Sequence, residues 1–157
     1  MAILRLRSEL NLHTRCENQV TNEICREPIH YGAHLESLDQ RNQYPNALHR
    51  PVKATKIYNC HGLTFASRRT LIWMSEEIAK ILNDDDYKTV DRKDVLPGDV
   101  VVYYDTTGDA EHSGMVVEVD KLGPKILSKW GLSHEVVHRV HECPYDVPDV
   151  RFYRITT

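Results

Sequence analysis

The pattern of apolar and polar positions along the chain changes near residue 59. Residues 2–8 alternate between apolar and polar with a period of two, which predicts a short edge strand. Residues 16–56 are mostly polar, and only 33–40 have a spacing that predicts a short helix. Four turn-forming residues interrupt this segment: Pro28, Gly32, Pro45 and Pro51. We therefore expect an irregular N-terminal arm over residues 1–57, which either packs on the fold, lines a cleft or contains elements that the pattern conceals.

Helical spacing follows the arm. Apolar residues recur at helical intervals over 63–82, with a break near 70–75, which predicts two helices. Ser75 precedes Glu76 and Glu77 and is expected to be the N-cap of the second helix, because a helix dipole favours acidic residues in the first turn. The polar run NDDD then ends that helix.

The C-terminal half alternates between turn residues and runs rich in β-branched and aromatic residues. Pro-Gly-Asp precedes the run VVVYY and Thr-Thr-Gly-Asp follows it, so a strand is expected between them. Five strands are predicted in this half, over 100–104, 113–120, 124–130, 134–141 and 150–155. Helices followed by a meander of strands predict a single α+β domain over residues 1–157.

Composition excludes several classes of partner. The chain has 157 residues, of which 41% are hydrophobic and 27% charged, and its formal net charge is −3. No run of Lys or Arg provides the electrostatic footprint that nucleic acid or an anionic membrane surface would need. No apolar stretch approaches the roughly 20 residues of a transmembrane helix. We expect neither nucleic acid nor a membrane as a partner.

Charged residues also interrupt the apolar positions at the N-terminus. Arg5, Arg7 and Glu9 leave no apolar core of the kind that a secretory signal peptide contains. We therefore expect the protein to be cytoplasmic as synthesised, with any export following a route that is independent of a signal peptide.

The cysteines and histidines form no recognised metal-site spacing. Few and irregularly placed cysteines favour reduced thiols over a disulfide framework, with a Cys16–Cys25 bridge as the alternative for a protein delivered outside the cell. Two groups of metal-ligating residue types are close in sequence: His134, His138, His141 and Cys143, and His13, Cys16, Cys25 and His30. Neither matches a zinc signature, so no metal or other cofactor is expected.

Cys60 lies where the irregular arm meets the helical block, in the segment YNCHGLTFA. A thiol at the first positions of a helix faces unsatisfied N–H groups, which lower its pKa. The same N–H groups can stabilise an oxyanion, so this location suits a nucleophile. The alternative is an inert thiol buried in the core.

His112 begins the predicted strand EHSGMVVEV, directly after a polar turn. An imidazole at a strand end beside Gly114 can open on a cleft and act as a general base. The alternative is an exposed hairpin histidine without a role. The order of a helix-start cysteine, a Pro-Gly-Asp strand and a strand-start histidine favours the catalytic interpretation.

Three ordered blocks resemble the NlpC-type cell-wall peptidases and the related CHAP amidases of the papain-like superfamily. NCHGL resembles their Asp-Cys-Ser-Gly-Leu, LPGDVVVYY their Pro-Gly-Asp-Leu strand, and EHSGMVVEV their His-Val-Gly-Ile strand. The resemblance covers residues 58 to about 130. It implies a papain-like core over 58–157, in which a helix starting at the catalytic cysteine packs on an antiparallel sheet. It also implies a thiol hydrolase that cleaves a peptide-like amide through an acyl-enzyme on Cys60, with His112 as base and acid.

The family places a third polar residue on the next strand to orient the imidazole, and Ser128 occupies the matching position. A serine hydroxyl can accept from an imidazole N–H but carries no charge, so His138 on the following strand is the alternative. A period of two places His134, Val136 and His138 on one strand face. The other interpretation of that face is a set of surface histidines in water.

The chain departs from the family motif at the two positions that flank Cys60. Asn59 replaces the family's Asp and His61 replaces its Ser, two positions that belong to the substrate-reading surface in relatives that bind the peptidoglycan stem peptide. The resemblance therefore implies the chemistry more strongly than peptidoglycan specificity. Tyr58 is expected beside the oxyanion site, in the core or in the cleft wall. Trp130 either lines the substrate cleft or packs, with packing favoured.

The resemblance leaves several biological roles open. They are a cell-wall peptidase or amidase, a phage lysis protein, an exported effector or toxin, and an intracellular protease or deamidase. A peptide or peptidoglycan-like substrate is expected, and an immunity or inhibitor protein is a further candidate partner. The alternative from another class is a catalytically inactive papain-like binding module, and transfer of the acyl group to an amine is the third.

Overall fold

Most of the sheet follows the helices in the computed structural model, which describes residues 7–51 and 53–156. The helices are α1 (Tyr31–Gln43), α2 (Cys60–Ala66) and α3 (Ser75–Asp84). The strands are β1 (Arg7–Ser8), β2 (Ile24–Cys25), β3 (Leu48–His49), β4 (Tyr87–Val90), β5 (Val100–Tyr104), β6 (Ala110–Asp120), β7 (Gly123–Lys129), β8 (Glu135–Arg139) and β9 (Asp149–Ile155).

Seven of these strands form one sheet in the order β3-β8-β7-β6-β5-β9-β4. Every neighbouring pair is antiparallel, and β1 and β2 form a separate two-stranded ribbon. The long strand β6 is therefore the central strand of the sheet. Helices packed on a mainly antiparallel sheet confirm the predicted α+β class.

Both faces of β5 are buried, which explains its unbroken apolar run. Val100 and Val102 belong to an apolar cluster that includes residues of α3, whereas Val101 and Tyr103 belong to a second cluster. Successive strand residues point to opposite faces, so the two clusters lie on opposite sides of the sheet. Ala47 of the N-terminal arm is part of the second cluster. The arm therefore packs on the sheet, which was one of its three expected roles.

The principal elements predicted from the sequence are confirmed. The helix predicted over 33–40 is present and extends over the whole of α1, the break near 70–75 separates α2 from α3, and the five predicted strands are β5 to β9. The prediction that Ser75 caps α3 is wrong, because Met74 occupies the N-cap position. The Ser75 hydroxyl instead accepts a hydrogen bond from the Ala110 N–H at 2.8 Å, which ties the start of α3 to β6.

Three short strands were not predicted. β2 and β3 have two residues each, too few for a period of two to be recognised, and β4 is an edge strand with a half-exposed pattern. Of the strand predicted over 2–8, Arg7 and Ser8 form β1, and residues 2–6 lie outside the described residues.

None of the helices in residues 7–51 and 53–156 is long and apolar enough to cross a bilayer. All four cysteines lie within those ranges and are present as free thiols. Cys16 is exposed, whereas the other three are buried.

Candidate active site

Asn59 caps α2 and places Cys60 in its first turn. The Asn59 Oδ1 accepts hydrogen bonds from the N–H groups of Gly62 at 2.9 Å and Ile72 at 3.2 Å, and its Nδ2 donates to the Ile72 carbonyl at 2.8 Å. An N-cap side chain satisfies an orphan helix N–H, and here it also ties α2 to the segment before α3. A carboxylate could not donate the third of these hydrogen bonds, which explains why the amide of Asn suits this position better than the carboxylate of Asp. The polar atoms of Asn59, expected on the substrate-reading surface, are thus engaged inside the fold.

The first turn of α2 lies so close to the turn that follows the helix that only glycine fits at position 62. A Cβ atom on Gly62 would lie 1.8 Å from the Thr70 carbonyl oxygen. The helix ends at Ser67 and Arg68, which are both left-handed, with φ of 50° and 64°. The Arg68 N–H donates to the Gly62 carbonyl at 3.0 Å. This tight helix end sets the position of α2, and with it the position of the thiol.

A β-bulge next to His112 sets the direction of its side chain. His112 pairs with Tyr103, whereas the next pair joins Ala110 with Tyr104, so Glu111 is an extra residue in β6. Bulges often re-aim a side chain beside a functional site. The expectation that His112 lies near the start of a strand is confirmed, because it is close to the beginning of β6.

Cys60, His61 and His112 form one buried cluster between α2 and β6. Cys60 is 7% exposed and His112 is fully buried. Burial raises the pKa of the Cys60 thiol, but the charges of His61 and His112 outweigh burial and hold that pKa well below its ordinary value. The same thiolate raises the pKa of His61 although burial opposes this change. The cluster therefore favours a thiolate beside an imidazolium.

Aromatic rings hold the imidazole of His112. The Tyr145 ring lies 3.7 Å from it, centroid to centroid, at an interplanar angle of 8°, and the Tyr103 ring lies 5.2 Å away at 59°. Among residues 7–51 and 53–156, neither ring nitrogen of His112 has a hydrogen-bond partner. An unsatisfied buried polar group costs about 1–3 kcal/mol, and such groups in native structures call for a functional explanation.

Ser128 and His138, the two residues expected to orient His112, bind each other instead. The Ser128 Oγ lies 2.7 Å from the His138 Nε2, and the His138 Nδ1 lies 2.6 Å from the Arg139 carbonyl oxygen. The expected hydrogen bond from either side chain to His112 is not formed within the described residues, so neither residue fills the third position. The alternative of surface histidines is also wrong, because His134 and His138 are 0% and 2% exposed.

Tyr58 and Trp130 belong to the core. Trp130 is fully buried and meets the Tyr44 ring edge-on at 5.0 Å, so the favoured prediction of packing is confirmed. The Tyr58 hydroxyl donates to the Glu135 carboxylate at 2.5 Å, and Arg68 donates to the same carboxylate at 2.6 and 3.0 Å. Because its hydroxyl is committed to Glu135, Tyr58 does not stand beside an oxyanion site.

A buried lysine that the sequence did not single out lies behind the thiol. Lys129 is fully buried, and its Nζ donates to the carbonyls of Thr55 and Gly131, each at 2.9 Å. Burial lowers the pKa of Lys129 to about 8, and the Cys60 thiolate opposes that change. A further cationic group thus stands close to Cys60.

His61, which was expected on the substrate-reading surface, is 3% exposed and bonded to the fold. Its Nδ1 lies 2.8 Å from the Ser113 Oγ, and its Nε2 lies 3.2 Å from the Ala110 carbonyl oxygen. Ser113 in turn lies 3.1 Å from the Thr64 Oγ1, which donates to the Cys60 carbonyl at 2.9 Å. This chain of contacts joins α2 to β6 and holds both halves of the site together.

A cleft of about 320 Å³ opens over the thiol. Trp73 at its edge is 59% exposed, and an exposed indole beside a reactive group provides apolar surface for a ligand. Trp73 and Tyr145 lie in loops and have no periodic signal that sequence reasoning could use. We call this the Cys60 cleft, lined chiefly by Asn59, Cys60, His61, Trp73, Glu111 and Tyr145.

His134 and His49, which lie outside the site, are bonded to each other within the fold. The His134 ring lies 2.6 Å from both the Ser37 Oγ and the His49 Nδ1. Within residues 7–51 and 53–156, no group of three or more His, Cys, Asp or Glu side chains is arranged to hold a metal ion.

Comparisons with known proteins identify no relative. No protein-family model matches the sequence, and no curated protein or solved structure matches the chain. The chemical class of the site is therefore inferred from the geometry of Cys60, His61 and His112.

Proposed function

We propose that the protein is a thiol hydrolase of papain-like type that cleaves a peptide-like amide bond through an acyl-enzyme on Cys60. The observation that carries the proposal is the buried pair of Cys60 and His112 beneath an open cleft, with both imidazole nitrogens free of hydrogen-bond partners among the described residues. A thiolate beside an imidazole that can exchange its proton meets the first requirement of this chemistry.

Acylation begins with attack of the Cys60 thiolate on the amide carbonyl carbon, whose π electrons move to the oxygen. Protonated His112 then gives its proton to the amide nitrogen. The carbon–nitrogen bond breaks, the amine leaves, and a thioester on Cys60 remains.

In deacylation His112 acts as a base instead of an acid. The neutral imidazole takes a proton from water while the water oxygen attacks the thioester carbonyl. The carbon–sulfur bond then breaks, the carboxylic acid is released, and the Cys60 thiolate and protonated His112 are restored.

The start of α2 can stabilise the oxyanion of both steps. The first N–H groups of a helix have no partner inside the helix. The Gly62 N–H already donates to Asn59, so this task falls to the N–H groups of Cys60 and His61. Donors placed in advance at the point where charge develops supply a large part of catalysis in acyl transfer.

The walls of the Cys60 cleft support a peptide-like substrate. Trp73 and Tyr145 offer flat apolar surfaces, and Glu111 brings a carboxylate to the same cleft. Such walls suit a substrate with an apolar or planar group beside the scissile bond and with donor groups toward Glu111.

The order of elements is a second support for the papain-like class. A helix begins at the cysteine, and the histidine lies on the central strand of an antiparallel sheet that follows it in sequence. The arrangement differs from the family pattern because stacking on Tyr145 takes the place of a hydrogen-bonded third residue. Fold analogy alone does not imply function, so the proposal depends on the chemistry of the thiol.

Labelling with iodoacetamide between pH 5 and 9, read residue by residue by mass spectrometry, tests the thiol directly. Cys60 is expected to react well below pH 8, although it is buried, and the exposed Cys16 serves as the reference thiol in the same sample. If Cys60 labels no faster than Cys16, the enzyme proposal fails and a binding module becomes the better interpretation.

Turnover of p-nitrophenyl acetate, a small activated ester, tests the acyl-enzyme. Cys60→Ala should abolish release of p-nitrophenolate above background, and His112→Ala should slow turnover by about 100-fold or more. His134→Gln is the matched control, because His134 is also fully buried but is bonded to Ser37 and His49. Loss of stability with retained turnover in Cys60→Ala would place Cys60 in the core instead.

A further inference from the structure

We infer that His61 is a standing imidazolium that serves as the counter-charge of the Cys60 thiolate, and that His112 alone carries the moving proton. This inference rests on the proposed function and gives a role to a residue that the sequence placed on the substrate side. His61 is thus a positioning residue, which acts on the reaction by stabilising the negative charge of the Cys60 thiolate.

Four contacts run in sequence from His61 across β6 and back to α2. The His61 Nε2 meets the Ala110 carbonyl at 3.2 Å, and the His61 Nδ1 meets the Ser113 Oγ at 2.8 Å. The Ser113 Oγ meets the Thr64 Oγ1 at 3.1 Å, and the Thr64 Oγ1 meets the Cys60 carbonyl at 2.9 Å. Each contact is a hydrogen bond that requires one hydrogen atom.

The two ends of this chain are carbonyl oxygens, which can only accept. The Thr64 hydrogen must therefore go to the Cys60 carbonyl, and a hydrogen on the His61 Nε2 must go to the Ala110 carbonyl. The Ser113 hydrogen is then the one available for Thr64, so the Ser113 oxygen accepts from the His61 Nδ1. All four bonds form together only when both ring nitrogens of His61 carry hydrogen, which is the imidazolium.

A neutral His61 would leave one of the four contacts unmade in a buried site, which is unfavourable. A buried imidazolium needs an anion nearby. The titratable groups that act on Cys60 or His61 are His112, Lys129, Tyr145 and the two residues themselves. Of these, the Cys60 thiol is the one that forms an anion at neutral pH. Glu111 also lines the cleft, but it is exposed to solvent, which screens its charge. The lowered pKa of Cys60 and the raised pKa of His61 agree with the pairing of the thiolate with His61.

His61 and His112 are thus bonded in opposite ways. His61 has an acceptor on each nitrogen, so its protons are held. His112 is held by the ring of Tyr145 and, within the described residues, has no partner on either nitrogen. His112 is therefore the residue that exchanges a proton with the substrate, and His61 carries the constant positive charge.

The test measures the pH midpoint of Cys60 labelling by iodoacetamide in His61→Gln, Thr64→Val and His112→Ala. His61→Gln removes the charge and should move the midpoint up by at least one pH unit, which is about a tenfold loss of labelling rate at any pH below the wild-type midpoint. Thr64→Val frees the Ser113 hydrogen for the His61 Nδ1, so neutral His61 is satisfied and the midpoint should rise as well. His112→Ala should move the midpoint less than His61→Gln, while slowing turnover of p-nitrophenyl acetate by about 100-fold or more.

Thr70→Val is the matched control for Thr64→Val. Thr70 is fully buried, and its hydroxyl donates to Asn22 at 2.7 Å, outside the His61 chain, so its labelling midpoint should equal that of the wild type. A midpoint unchanged in His61→Gln, or a Thr64→Val midpoint no different from that of Thr70→Val, overturns the inference and leaves the proposed function intact. A wild-type Cys60 that labels like Cys16 would instead overturn the proposed function. If His61→Gln does not fold, Thr64→Val decides, since it removes the two hydrogen bonds of the Thr64 hydroxyl and leaves the His61 imidazole in place.

Discussion

The imidazole of His112 lies flat against the ring of Tyr145, with the centroids 3.7 Å apart and the planes 8° from parallel. The Tyr145 hydroxyl is anchored in turn, because it accepts the Gly131 N–H at 3.1 Å. Stacking fixes the plane of the imidazole and occupies neither nitrogen. In the proposed mechanism, Tyr145 thus orients His112 as a hydrogen-bonded third residue does in a triad.

Replacement of Tyr145 tests this orienting role. Tyr145→Leu should lower turnover of p-nitrophenyl acetate by about 10- to 100-fold, because small misplacement of a catalytic group has effects of this size. Tyr145→Phe keeps the stacking ring and should stay within about threefold of wild type. Iodoacetamide labelling of Cys60 should change little in either variant. Equal turnover in the leucine and phenylalanine variants would show that stacking does not orient His112.

Asn59→Asp tests the reason for an amide at the N-cap of α2. A carboxylate still accepts from Gly62 but cannot donate to the Ile72 carbonyl, so one buried acceptor loses its partner. We expect a loss of about 1–3 kcal/mol in the free energy of unfolding, measured with urea. Asn42→Asp, at an exposed position in α1, is the control and should change stability by less than about 0.5 kcal/mol. An Asn59→Asp protein as stable as wild type would contradict the hydrogen-bond assignment.

Gly62→Ala tests the close approach between the first turn of α2 and the Thr70 carbonyl. The added Cβ would lie 1.8 Å from a backbone oxygen that cannot move alone, so the variant should lose about 3 kcal/mol or fail to fold. Gly32→Ala, which meets no atom within 4 Å, should be neutral or gain about 0.5 kcal/mol. Thermal unfolding of the two variants separates steric conflict from any general effect of replacing glycine. Similar melting temperatures would contradict the predicted clash.

Two buried histidines should make the protein sensitive to acid. Burial, with a contribution from Arg41, lowers the pKa of His134 to about 4, and burial lowers that of His138 to about 3. Both values lie below the ordinary histidine pKa of about 6.5, so the unfolded chain binds more protons between these limits. Stability should be complete above about pH 6.5 and should fall as the pH drops toward 4, with a slope of up to about 1.4 kcal/mol per pH unit for each histidine.

Urea unfolding between pH 7.5 and 5 measures this slope. His138→Gln should reduce it by the contribution of one residue, whatever its effect on stability at pH 7. A flat profile over this range would mean that these histidines are not held neutral in the folded state.

Much of the fold could be read from local patterns. β5 is apolar along its whole length and lies between turn residues, and both of its faces are buried. α3 shows its buried stripe in the spacing of Ile78, Ile81 and Leu82. The edge strands β3 and β4 were missed, because they are too short for a period of two to be recognised.

The candidate site also has one part that could be predicted from the sequence and one part that could not. The sequence by itself determined that Cys60 begins a helix and that His112 lies near the start of a strand, because capping residues, turn residues and apolar spacing are local properties of the chain. Only the tertiary structure decided what surrounds them. Tyr145 stacks on His112, Ser113 binds His61, and Ser128 turns away to His138. These contacts join residues from separate elements, and their geometry depends on how the helix and the strands pack, which no spacing along the chain records.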